Sequence, residues 1–237
     1  MWDWVDYWKP RRTKRKDKDI ASPSPTGPSK LYLEEHFTRE TIHHHIPNLD
    51  LPTSLDELVS LPYGFPREEW FAWHTISFFE QLNSLVGIIC PDCSFSTCPT
   101  MTAPGNVNYM WIDDKGKKCK CSAAQYIDYV TTYIHKTVSD HSVFPTKHGE
   151  EFPSNFISIV QKIHKYMFQV LAHIYYAHYP RMLSLQLHGH LNTFFAHFML
   201  FNWTFKLIEE KETEIMTDLV HALKAIPEAN KENHLQE

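Results

Sequence analysis

Two pairs of metal-type side chains stand 75 positions apart in this chain: Cys93 with Cys98, and His173 with His178. Each pair encloses four residues. Two thiolates and two imidazoles make a complete tetrahedral set for zinc and leave no coordination position for water or substrate. If the pairs converge, the metal is a structural staple between distant segments, and the chain binds something rather than cutting it. The histidine spacing adds a local constraint. Five residues along a regular helix separate His173 from His178 by about 140°, too far round to share an ion. Pro180 biases Tyr179 away from helical dihedrals. His173 is therefore expected on the last turns of a helix and His178 where that helix breaks. The cysteine side stays open on spacing alone, because Cys90-Pro91-Asp92-Cys93 offers a competing C-x2-C knuckle. A ββα zinc finger is excluded, since its halves lie about 12 residues apart.

The chain has 237 residues, of which 43% are hydrophobic and 14% aromatic, enough for one sizeable core. With only 7 glycines, it is a poor candidate for a phosphate-cradling loop or a turn-rich all-β fold. There is no apolar run long enough to span a membrane, and no apolar stretch at the N-terminus that reads as a secretory signal. Five clustered cysteines, an odd count, suit a reducing compartment better than a disulfide framework. The net charge of −5 is uneven. Residues 9–18 hold seven cations, whereas beyond residue 19 there are 16 basic and 24 acidic side chains. A body this acidic disfavours nucleic acid and favours a basic partner.

Residues 1–30 read as a disordered aromatic and basic tail with a Ser/Pro linker, 31–54 as an N-terminal extension, 55–226 as the helical domain and 227–237 as a frayed end. Trp2, Trp4, Tyr7 and Trp8 precede the basic block, so residues 1–18 suit a solvated tail, a nuclear-import patch or an interfacial contact with anionic lipid. His43, His44 and His45 read as a solvated cluster. After Pro66 an apolar stripe (Trp70, Phe71, Trp73, His74, Ile76, Phe78, Phe79, Leu82, Leu85) predicts a helix burying one broad face. Tyr109–Ile112 and Lys117–Cys121 read as a hairpin around Asp114-Lys115-Gly116. Ser122 and Gln125 form a capping box. Further helices are expected through 156–174, from about Met182 to Phe205 with His190 and His197 on one face, and over about Glu212 to Ala225. The sum is all-α: a four-helix-bundle core with extra helices, one short β-hairpin and a structural zinc site.

Several ordered motifs resemble the Mob family of kinase co-activators over roughly residues 55–225. They are Glu69-Trp70, Phe78-Phe79, Cys98-Pro99-x-Met101, Lys120-Cys121-Ser122-Ala123 with Tyr126-Ile127-Asp128-Tyr129, Phe144-Pro145-x-Lys147-x-Gly149-x-x-Phe152-Pro153, Ala172-His173-Ile174-Tyr175, and His190-Leu191-Asn192-Thr193 with His197-Phe198. Leu187 to Thr193 and Lys211 to Met216 look most like the branch that pairs with NDR-type kinases. The resemblance implies a non-catalytic helical fold with zinc on Cys93, Cys98, His173 and His178, leaving Cys90 as an addition. It also implies an acidic face that binds the basic N-terminal segment of an NDR/LATS-class AGC kinase and promotes its activation, with Glu69, Trp70 and His197 at matching positions.

Two departures stand out. Ser77 replaces an acid of the LATS-pairing branch. In that branch's phosphopeptide pocket only Lys165 keeps its charge, because Tyr166 and Gln169 replace arginines; weak phosphopeptide binding is expected. Such an adaptor is expected in the cytoplasm, and in the nucleus if the basic block serves import. The contrasting reading is a zinc hydrolase with an open metal site, which needs three ligands, a water and a general base. The sequence has no His-Glu-x-x-His or Gly-x-Ser-x-Gly motif to support it.

Overall fold

The computed structural model describes residues 30–34 and 55–223, apart from Asp114 and His148. The expected tail, the histidines 43–45 and the frayed C-terminus lie outside the described residues.

A short helix α1 (Leu55–Val59) leads into the long α2 (Arg67–Ile89). Pro66 sits at the N-cap of α2, and Glu68 and Glu69 in its first turn complement the helix dipole. Buried residues recur along α2 at helical spacing: Phe71, His74, Phe78, Leu82, Leu85 and Ile89. Trp73 and Ile76, expected in the same stripe, are instead 59% and 36% exposed. The apolar run on α2 is wider than the face its neighbours can cover.

Two antiparallel ladders follow. β1 (Met101–Ala103) pairs with β2 (Val107–Tyr109) across a turn that holds Gly105 at φ 72°. β3 (Trp111–Ile112) pairs with β4 (Lys118–Cys119). The expected hairpin is thus present but shorter, and an additional ladder precedes it. Tyr109 belongs to that earlier ladder, where it pairs with Met101 rather than continuing into Trp111.

α3 (Ala123–Val138) starts at the expected capping box, with the Gln125 amide N–H donating to Ser122 Oγ at 3.3 Å. α4 (Phe156–His173) is the most deeply buried helix. A π-helical turn (Ile174–His178) joins it to α5 (Tyr179–Ser184). The predicted long helix from Met182 is broken: Gln186 takes φ 57°, Leu187 N–H closes onto the Met182 carbonyl at 2.9 Å, and α6 (His188–Phe205) begins afresh. On α6 His190 is exposed, whereas His197 is half-buried. Lys206 ends α6 in the left-handed region, at φ 54°. The last predicted helix is a helical turn α7 (Glu210–Thr213), a 3-10 turn (Glu214–Met216) and a further helical stretch over 217–223.

α2 contacts α3, α4 and α6, so the four long helices share one core. A polar relay stitches three of them. Thr75 on α2 donates to His164 Nε2 (3.0 Å), His164 Nδ1 donates to Asn202 Oδ1 (2.9 Å), and Asn202 Nδ2 donates to the Phe198 carbonyl (2.7 Å). His164 is fully buried, and burial holds its pKa down at about 3, so the ring is neutral with its proton on Nδ1. No helix among the described residues is long and apolar enough to cross a membrane.

Candidate metal centre and aromatic face

The end of α2 turns into a tight loop. Cys93 N–H bonds the Ile89 carbonyl at 2.9 Å, and Cys98 N–H bonds the Ser94 carbonyl at 2.8 Å. Hydroxyls brace the loop: Thr97 Oγ1 donates to the Asp92 carbonyl at 2.7 Å and accepts from Ser94 N–H at 2.9 Å. Cys98 carbonyl accepts from Ala123 N–H at 3.0 Å, which ties the loop to the start of α3.

His173 and His178 come to this loop from the far side. A regular helix would turn them apart, but the π turn closes i to i+5 and returns the fifth residue to the same side. Tyr179 itself is helical (φ −58°, ψ −40°), so the pre-proline restriction is not what breaks the helix. Pro180 acts by its missing N–H and by its ring, which clashes with the carbonyl four residues back, at Tyr176. Widening the turn relieves both.

The four ligand atoms of Cys93, Cys98, His173 and His178 lie within 4.8 Å of one another, and all four residues are buried. Cys93 Sγ stands 3.7 Å from His173 Nε2, and Cys98 Sγ stands 3.6 Å from His178 Nε2. His173 Nδ1 donates to the Thr102 carbonyl on β1 at 2.7 Å. That bond fixes the tautomer and leaves the Nε2 lone pair aimed at the cluster, the usual outer-shell device of a metal-binding imidazole. The hydrogen bond from Cys93 pushes the Cys98 thiol down, helped by His173 and His178 against burial; the same bond and burial push Cys93 up. A lowered thiol pKa favours the thiolate, the form that binds metal. Cys90, the competing thiol, is exposed and outside the cluster.

A second constellation lies at the start of α2. Trp70 is half-buried and its Nε1–H donates to the Val59 carbonyl at 3.2 Å. Its ring stacks on Trp73 (5.7 Å, 19°) and meets Phe65 edge-on at 5.8 Å. Beneath them His74 contacts Trp70 at 4.4 Å and His197 at 5.7 Å. Trp70 and His197 are thus joined through His74. Glu69 is exposed on the first turn beside them. His74 is 1% exposed, and neither of its ring nitrogens has a hydrogen-bond partner among the described residues. Burial pushes His74 down to about 3, and His197 to about 4. Phe65 and Trp73, which contact Trp70, are exposed, as are Leu61 and Tyr63 on the segment leading into α2. The sequence singled out Trp70 but counted Trp73 and His74 only as core, and it did not single out Tyr63 or Phe65. The usable signal was an apolar run too wide for one buried face.

Lys165 lies elsewhere, on α4, bound to Glu212 at 2.6 Å. Tyr166 stacks on Trp111 (5.4 Å, 30°), and Gln169 accepts from the Tyr126 hydroxyl.

The Mob1/phocein family model matches residues 49–216. MOB kinase activator-like 2 of Drosophila melanogaster is 45% identical over 214 residues, which are 90% of this chain and 36% of the relative. The chain thus spans about a third of that relative and of its Drosophila pseudoobscura counterpart. MOB kinase activator 2 of Mus musculus is 44% identical over 89% of this chain and 87% of its own length. Maintenance of ploidy protein mob2 of Schizosaccharomyces pombe is 40% identical over 86% and 80%. With its motif order and buried Cys/His cluster, this chain belongs to the Mob1/phocein family.

Proposed function

We propose that the chain is a non-catalytic kinase co-activator. It docks the basic N-terminal regulatory segment of an NDR/LATS-class AGC kinase on the face formed by Glu69, Trp70 and His197 and promotes that kinase's activation. The observation that carries the reading is the Trp70–Trp73 stack, half-buried at Trp70 and exposed at Trp73, beside Glu68 and Glu69 and set over a buried histidine without a hydrogen-bond partner among the described residues. Exposed apolar clusters next to charge mark interaction sites, and an amphipathic basic helix satisfies both. The names of the relatives, MOB kinase activators, support the kinase assignment. The acidic body supports a basic ligand and argues against nucleic acid.

Zinc is the proposed ion at Cys93, Cys98, His173 and His178. Zinc–sulfur bonds of about 2.3 Å and zinc–nitrogen bonds of about 2.05 Å in a tetrahedron put S and N roughly 3.5–3.6 Å apart. The two distances of 3.7 and 3.6 Å fit that closely. Four protein donors close the shell, so the ion would staple the Cys loop to the α4–α5 junction. The hydrolase reading finds no support in such a closed set. The Lys165–Glu212 pair and the committed contacts of Tyr166 and Gln169 support weak phosphopeptide binding. Cytoplasmic residence, with nuclear import or lipid contact through residues 1–18, completes the proposal.

The test is direct. Purified kinase N-terminal fragments are titrated against the chain and against Glu69→Lys at low and high salt. Binding that weakens with salt and with the charge reversal is expected; an affinity indifferent to both would remove the assignment.

A further inference from the structure

Cys90 lies outside the metal cluster, yet it stands three residues from a proposed ligand in the run Cys90-Pro91-Asp92-Cys93. The run continues α2 by one turn. Cys90 caps the helix in helical conformation (φ −50°, ψ −40°), and its N–H bonds the Val86 carbonyl at 2.9 Å. The N–H groups of Asp92 and Cys93 both bond the Ile89 carbonyl, at 3.0 and 2.9 Å. The first of these is the closure of a 3-10 turn, a geometry in which side chains three apart eclipse. Pro91 has no N–H, so the turn is not held to the Gly87 carbonyl at that step.

On a helical turn, Cα atoms three apart are separated by about 5 Å, inside the window of about 4.4–6.8 Å that a disulfide spans. Cβ atoms at this spacing are about 5–6 Å apart and must close to about 3.8 Å. Further tightening towards 3-10 geometry supplies that closure, at the end of a helix where local opening is easiest. The two thiols differ in access. Cys90 is exposed, whereas Cys93 and Cys98 are buried, so an oxidant in solution meets Cys90 first. Cys93 Sγ faces His173 Nε2 at 3.7 Å. It cannot face His173 and bond Cys90 at once.

We infer that Cys90 and Cys93 are a redox pair: a hydroperoxide joins them in a reversible disulfide, and this takes Cys93 out of the metal cluster. Peroxide transfers one oxygen to the Cys90 thiol, giving a sulfenic acid and one water. The Cys93 thiolate then attacks the Cys90 sulfur. The S–S bond forms, the S–O bond breaks, and the departing hydroxide takes up a proton to leave as a second water. The two sulfurs have together given two electrons to one peroxide. Two molecules of a small thiol reverse the step by exchange and leave as their own disulfide. A transient bridge of this kind suits a reducing compartment, where lasting disulfides are rare. Cys98, His173 and His178 remain, three donors in place of four, and a set opened in this way holds zinc less firmly. That last consequence rests on the proposed zinc; the bridge itself does not.

The full chain is treated with hydrogen peroxide, its free thiols are alkylated, and it is cleaved before Asp92 and after Phe95 for mass spectrometry. Those cuts put Cys90, Cys93 and Cys98 on three separate fragments. The fragments bearing Cys90 and Cys93 are expected to be joined, with Cys98 alkylated, and dithiothreitol should part them. A zinc-sensitive dye is expected to report release of the ion in step with the bridge. Cys90→Ser should keep its zinc and its melting temperature before oxidation, because Cys90 is exposed and outside the cluster. Under peroxide it should release zinc at least about tenfold more slowly than the parent. Cys93 joined to Cys98, Cys119 joined to Cys121 in place of the pair, no bridge at all, or equal release from parent and Cys90→Ser would each overturn the proposal. The bridge is read from the fragments and the ion from the dye, so a chain that forms the bridge without holding zinc sustains the redox pair and rejects the ion alone.

Discussion

Acid should destabilise this fold through His164, and the size of the effect can be worked out. The ring is fully buried, donates from Nδ1 to Asn202, and accepts at Nε2 from Thr75. Burial lowers its pKa from 6.5 to about 3. The folded state therefore resists protonation while the unfolded state accepts it below pH 6.5. This stability is present above the unfolded pKa and is lost as pH falls towards the folded one. Between pH 7.5 and pH 5.5, the unfolded state gains about 1.4 kcal/mol from this one proton, and the folded state gains almost nothing. His74 and His197, lowered to about 3 and about 4 by burial, push in the same direction.

Acid also attacks any Cys/His metal centre, so the wild-type slope alone would not isolate the ring. His164→Gln does isolate it. The variant should be less stable at pH 7.5 by about 2–4 kcal/mol, because the space is refilled imperfectly and Thr75 and Asn202 lose their partner. At pH 5.5 the gap between variant and wild type should shrink by about 1.4 kcal/mol, since glutamine has no proton to gain. Urea denaturation at the two pH values reads both gaps, and the metal contribution cancels in the comparison. A gap that stays constant or widens at acid pH would refute the reasoning.

Other outcomes follow from the same geometry. Cys98→Ser should lose the bound ion, seen by elemental analysis, and should lower the melting temperature sharply, because structural zinc contributes roughly 10–16 kcal/mol in small finger peptides. A strong chelator should destabilise the wild-type chain in the same way, and an unchanged melting curve would dismiss the staple. Trp73→Ala should cost only about 1 kcal/mol of stability, since the residue is 59% exposed but stacks on Trp70, yet should weaken kinase-segment binding by tenfold or so if the stack is the anchor. Ser122→Ala should cost about 1 kcal/mol in a denaturation curve through loss of the capping box.

How much of this was legible in the chain differs by feature, for physical reasons. The capping box was readable because its chemistry is local: a hydroxyl and an amide three residues apart satisfy each other without help. The break before α6 was not, because Gln186 takes a positive φ with no Gly or Pro to announce it, and only the packing of α5 against α6 imposes the turn. The histidine pair falls between these cases. Its position at a helix break was read correctly from Pro180, but for the wrong property of proline. Restricting Tyr179 would have ended the helix; depriving Tyr176 of its partner widened it instead.

That distinction bears on function. An ended helix would leave His178 on a loop, its direction set by whatever packs nearby. The π turn instead brings His178 back to the side of His173 at a kink, where His178 leaves helical dihedrals (φ −122°, ψ 6°) between two abutting helical segments. The rings stand 5.2 Å apart at 72°, and each faces a different cysteine. Two buried donors preset by abutting helical segments lose little conformational freedom when an ion binds, so more of the binding free energy is left to hold the Cys loop in place. The loop in turn fixes the end of α2, whose first turns carry Trp70, Trp73 and Glu69. The candidate metal centre and the proposed docking face thus lie towards opposite ends of one 23-residue helix. Loss of the ion should therefore weaken partner binding as well as lower stability.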